Sequence, residues 1–235
     1  MPIWVLICFF SAQYLIGGAI WLIQKVDSNV LSSINQTLFQ LVASVAVYLV
    51  TILFIALVPW IVRKRRLSFS DFGLNVKLPQ WSDIVIMFAG LIIYLVLLSI
   101  IMVVVTKLFP SIKVDQTQDI GFKHVNSQIE HIMAFVALVI IAPVAEEVIF
   151  RGYLFGKIKK YAPIWIAVIL TSLTFGFVHG AWNLAIDTFT LSVVLCLLRQ
   201  TTNSLWSPIL LHMAKNGLAF YALFINPTIF AIMIK

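Results

Sequence analysis

Seven apolar stretches of this 235-residue chain are candidates to cross a bilayer, and that removes most folds from consideration. A hydrocarbon layer of about 30 Å needs about 20 residues at 1.5 Å rise per residue. The stretches fall near 3–23, 38–62, 84–106, 131–155, 162–181, 184–198 and 203–223. Inside hydrocarbon each backbone N–H and C=O must find its partner within the segment, which leaves helices for runs of this length. With 62% hydrophobic and 11% charged residues, against about 25% charged in a soluble domain, the expectation is an all-α, polytopic transmembrane bundle of about seven spanning helices. The first stretch follows Met-Pro-Ile-Trp without a basic segment and shows no small-residue cleavage pattern, so it reads as a retained helix and not a signal peptide.

The net charge of +7 is concentrated in short loops. Arg63-Lys64-Arg65-Arg66 closes the second stretch, Lys157, Lys159 and Lys160 follow the fourth, and Arg199 follows the sixth. The acids Asp115, Asp119 and Glu130 sit between the third and fourth. By the positive-inside rule the N-terminus is expected in the cytoplasm, and the basic excess reads as topology; no nucleic-acid partner is expected. Cys8 and Cys196 both lie in apolar runs, so neither a disulfide framework nor a cysteine metal knot is on offer. The mixed aromatic and polar stretch 67–83 is expected along the cytoplasmic interface, with Trp81 at headgroup level. The eight residues after Asn226-Pro227 are expected to form a short outer tail. The chain divides into N-terminal helices with a basic loop, 1–125, and a core, 126–235, that holds every candidate site residue. A transporter's interrupted helices would recur in both halves.

Polar residues inside the later stretches are the functional signal, because a charge at the bilayer centre costs about 2.5–3.5 kcal/mol on insertion scales. In Ala145-Glu146-Glu147-Val148-Ile149-Phe150-Arg151, the four-residue spacing stacks Glu147 on Arg151 as an ion pair. Glu146 then faces elsewhere as the available carboxylate. Pro143 should bend this helix and free a carbonyl nearby. His179 shares a face with Phe175 and is flanked by Gly176 and Gly180, which would let another helix approach; Gly152 and Gly156 repeat the device. His212 and Asn216 lie four apart, suited to a metal or to the oxygen of a carbonyl under attack, with Lys215 to one side. Asp187 has no partner at helical spacing and is a weaker member of the set. His124 and His131, near the outer loop, are set aside.

Glu-Glu-x-x-x-Arg (Glu146, Glu147, Arg151), Phe-x-x-x-His (Phe175, His179) and His-x-x-x-Asn (His212, Asn216), in this order and each in a candidate span, resemble the three signature motifs of the CPBP family. That family, also called Abi, comprises CAAX proteases and bacteriocin-processing enzymes, including type II CAAX prenyl endopeptidases. The resemblance covers roughly 130–220, and Lys215 within the third motif is a departure from it. It implies an intramembrane endopeptidase whose site opens toward the cytoplasm. Catalytic roles would fall to Glu146 as general base, His179 as water-positioning group, and His212 and Asn216 as oxyanion donors, supported by Glu147, Arg151 and Phe175.

The resemblance leaves metal use open: zinc would be held by His179, His212 and Glu146, though the chain has no His-Glu-x-x-His. The implied partners are membrane lipids and a peptide or protein substrate, which a lipid anchor would suit. No Gly-x-Ser-x-Gly segment supports serine chemistry, and Asp187 is the only aspartate within the stretches named above, which leaves paired-aspartate chemistry without its second group. The alternative function is a non-catalytic bacteriocin-immunity or partner-binding membrane protein.

Overall fold

The computed structural model describes residues 1–27, 29–30, 33–64, 66–74, 78–110, 122 and 125–227. The acids Asp115 and Asp119, His124 and the tail after Pro227 lie outside the described residues. Seven helices and no strand make up the regular structure of the described part: α1 Pro2–Val26, α2 Gln36–Val62, α3 Trp81–Leu108, α4 Gln128–Ile158, α5 Ile164–Phe177, α6 Trp182–Thr202, and α7 Trp206–Ile225. The all-α bundle is as expected, with one difference in count. Six helices are long and apolar enough to cross a membrane, but α5 has 14 residues. At about 1.5 Å per residue it falls short of 30 Å of hydrocarbon. The apolar run continues to Ala181, yet Gly180 turns the chain at φ +77° and Pro163 starts the helix late.

Polar side chains at the helix starts move the boundaries outward. Ser127 and Glu130 form a capping box, and Glu130 also accepts from Asn35 Nδ2 at 2.8 Å, so an acid expected in a loop instead ties the starts of α2 and α4 together. Gln80 and Asp83 cap α3 in the same way. This puts Asp83 within a membrane-length helix, a second aspartate beside Asp187. Asp83 accepts from Ser207 Oγ at 2.5 Å and so joins α3 to α7. Gly90 adds a close contact: a Cβ there would stand 3.0 Å from Leu198 Cδ1.

α4 is the central helix, and all residues from Val148 to Phe155 are buried. It is not a uniform α-helix. Two wider π turns, Val136–Ile141 and Val148–Phe155, flank a six-residue α segment, Ala142–Glu147, on which both glutamates stand. The expected interfacial stretch is partly docked on this helix. Phe69–Phe72 forms a short 3-10 turn whose Phe72 ring lies 5.4 Å from Tyr153, while Trp81 is exposed. A Cβ on Gly152 would meet Phe72 O at 1.9 Å, so only glycine admits the loop backbone.

Lys157 donates to Asp71 in the same loop and holds its carboxyl down to about 2. Because the folded value is depressed, this link contributes above the usual carboxylate range and fades only as pH falls toward that value. Gly73 in turn lies against the Arg199 side chain, so the loop after α2 touches the C-terminal parts of α4 and α6, where the basic clusters lie.

Candidate active site

The three motif segments come together around the Ala142–Glu147 segment. Glu147 is fully buried, and its Oε1 accepts from Arg151 Nη1 and from His212 Nδ1, both at 2.8 Å. The pair read from spacing is therefore present, and α7 adds a second donor to it. Glu147 is engaged on the buried side. Glu146 lies on the more open side, 13% exposed, with Oε2 3.7 Å from His212 Nε2. One imidazole thus bridges the two adjacent carboxylates, its Nδ1 toward Glu147 and its Nε2 toward Glu146.

His179 donates through Nδ1 to Phe175 O at 2.7 Å; a carbonyl can only accept, so the proton sits on Nδ1 and Nε2 carries the lone pair in the neutral ring. Phe175 organises the remainder. Its fully buried ring has centroid distances of 4.8 Å to His179 and 5.8 Å to His212, and the Arg151 guanidinium lies 4.3 Å over it. A single aromatic ring therefore lies against both histidines and helps to satisfy the buried cation.

Asn216 is placed differently from a free oxyanion donor. Its Nδ2 donates to Leu138 O at 2.9 Å. Pro143 explains why. In the wide turn, Ala142 N–H reaches back to Ala137 O. The next donor in that register would be residue 143 answering Leu138 O, and proline has no N–H. Asn216 supplies the missing donor from α7, so the carbonyl expected to be freed by Pro143 is taken up.

Two groups read as peripheral have defined partners. Lys215 Nζ is 2.8 Å from Asp187 Oδ2, and Tyr94 donates to Asp187 Oδ1. The departure at Lys215 is thereby balanced by an aspartate one helix away. Of the paired glycines, Gly152 and Gly176 are closely approached, the latter by Ala185 O at 2.8 Å from a would-be Cβ; Gly156 and Gly180 have open space.

Sequence reasoning missed Tyr48. Its hydroxyl donates to Glu146 Oε1 at 2.5 Å, from α2 and across 98 positions of chain. Nothing in its own apolar surroundings marks it. As for a metal, no group of three His, Cys, Asp or Glu among the described residues lies close enough to hold one, so His179, His212 and Glu146 as placed do not form a ligand set.

Residues 128–218, the stretch that contains all of the motif residues, match the family model for type II CAAX prenyl endopeptidase Rce1-like proteins. Over 94 residues the chain is 30% identical to the membrane-embedded CAAX protease MroQ of Staphylococcus aureus (strain USA300), covering 37% of this chain and 38% of that one. Over 77 residues it is 29% identical to YdiL of Bacillus subtilis (strain 168), a membrane peptidase by name, covering 33% of this chain and 32% of that one. The chain thus spans well under half the length of either curated relative in these matches. No solved structure matches it. With six apolar helices of spanning length, the protein is an integral, multi-pass membrane protein. The region 128–218, in which the clustered carboxylates and imidazoles lie, is thus similar to the type II CAAX prenyl endopeptidase Rce1-like family.

Proposed function

We propose that this protein is an intramembrane endopeptidase of the CAAX type in which Glu146 activates water. The observation that carries the reading is the division of labour between neighbouring carboxylates: Glu147 is enclosed by Arg151 and His212, whereas Glu146 keeps Oε2 on the open side, 3.7 Å from His212 Nε2. Two ionised carboxylates could not both stay unpaired in this setting. With Glu147 paired, Glu146 is the base.

In the proposed reaction Glu146 Oε2 takes a proton from water while the water oxygen adds to the scissile carbonyl carbon. His179 Nε2 accepts the second water hydrogen and so orients the attack. His212, when Nε2 carries a proton, donates to the oxyanion. The C–N bond then breaks, and the leaving nitrogen receives the proton from Glu146. Asn216 acts at one remove by holding the turn before Glu146, which is where its amide is bonded. A peptide or protein chain reaching the bilayer, lipid-anchored or not, is the substrate class that fits an intramembrane site. The Lys157 side of the bundle is assigned to the cytoplasm on the strength of its basic residues.

The test compares peptides released by membranes that carry wild type and Glu146→Gln. The amide keeps size and hydrogen bonding but not basicity, so products should vanish while the protein remains folded. Products that persist unchanged would defeat the assignment.

A further inference from the structure

Tyr48 lies outside the family-matched region, yet it touches the carboxylate assigned as base. Its hydroxyl occupies Oε1 of Glu146, and Oε2 is the oxygen nearest His212. The terminal torsion of a glutamate is broad and roughly two-fold. A donor fixed on one oxygen removes that freedom and decides which oxygen faces the imidazole. Tyr48 also lines a cavity of about 370 Å³ between α1, α2 and α4, together with Gln13, Gln40, Ser44 and Ala142.

We propose that Tyr48 is a positioning residue of the hydrolytic site: its hydroxyl holds Glu146 by Oε1, turns Oε2 toward His212, and its ring separates the carboxylate from the cavity among α1, α2 and α4. This rests on Glu146 as the base. It extends the working site onto α2. A group that only packed α2 against α4 would need the ring and not the hydroxyl, so the two roles separate in one substitution.

The experiment uses Tyr48→Phe in the full chain, in lipid nanodiscs, with two readouts. The infrared difference between wild type and Glu146→Gln isolates the Glu146 carboxyl band, and Tyr48→Phe should move that band. Leu49→Ala, on the exposed flank of the same helix, should not. Turnover is read on a quenched-fluorescence peptide carrying the bond that wild type cuts and Glu146→Gln does not. Tyr48→Phe should lower kcat by about 10²-fold, the typical cost of a small misplacement of a reacting group, with KM little changed.

An unmoved band, or wild-type kcat in folded Tyr48→Phe, overturns the proposal. Because the band needs no turnover, it judges the Tyr48 contact even if Glu146→Gln stays active, a result that would sink the base assignment instead. If Tyr48→Phe does not fold, 3-fluorotyrosine at position 48 keeps the ring and makes the hydroxyl more acidic. It too must shift the band, and no shift overturns the proposal.

Discussion

Two clusters in this bundle are built from the same parts and end in different states. In one, Asp187 accepts from Tyr94 on Oδ1 and from Lys215 at 2.8 Å on Oδ2. In the other, Glu146 accepts from Tyr48 on Oε1 at 2.5 Å and stands 3.7 Å from His212 on Oε2. Each is a carboxylate with a phenol on one oxygen and a basic group near the other. The first is closed, because its ammonium is within hydrogen-bond distance and cancels the charge. The second has a gap beyond direct hydrogen-bond reach, beside an imidazole able to give or take a proton. The difference lies in one interatomic distance and one choice of base, and it separates a cluster that joins α3, α6 and α7 from one suited to chemistry.

The comparison breaks most clearly on rate. Glu146→Gln should reduce cleavage by about 10²- to 10⁴-fold, whereas Asp187→Asn, corrected for folded protein, should leave the rate near wild type in the same peptide-release assay. A reversed ranking would place the chemistry at the closed cluster. Next in size is the paired neighbour of Glu146. Arg151→Ala leaves Glu147 with one fewer donor at a site with no exposure, and chemical denaturation in detergent should show a loss of about 3–5 kcal/mol. The double change Glu147→Gln with Arg151→Met should recover part of that loss; wild-type stability in Arg151→Ala alone would mean that His212 suffices. The smallest effect belongs to the closed cluster. Its ion pair is 19% and 21% exposed, against none for Glu147 and Arg151, so an unpaired Lys215 has more room to relax, and Asp187→Asn, which keeps an acceptor for Tyr94, should cost less than Arg151→Ala in the same measurement.

What could be read beforehand follows from the range of the forces involved. Helix spans came from hydropathy, and the Glu147–Arg151 pair from its spacing, because both are set within a few turns of one segment. Asp187 looked partnerless because only its own helix was in view, and Lys215 looked anomalous for the same reason; each answers the other across α6 and α7. Tyr48 was silent because tyrosine in an apolar run is ordinary and its partner is 98 residues away. The short α5 was overestimated since apolar content persists past the point where Gly180 turns the backbone. Pro143 did announce a disturbed helix, but not that the disturbance would be a wide turn closed by an amide from α7.

That last arrangement makes two distant positions exchangeable. Residue 143 and residue 216 serve the same carbonyl oxygen, one by withholding a donor and the other by lending one. Pro143→Ala would restore an N–H in the register of the turn, and Leu138 O could then be satisfied without help. In a background that carries Asn216→Ala, it should act as a suppressor of lost stability. Whatever activity remained missing in that double variant would measure a task of Asn216 other than holding the turn, which turns a helix irregularity into a genetic means of separating scaffold from reaction.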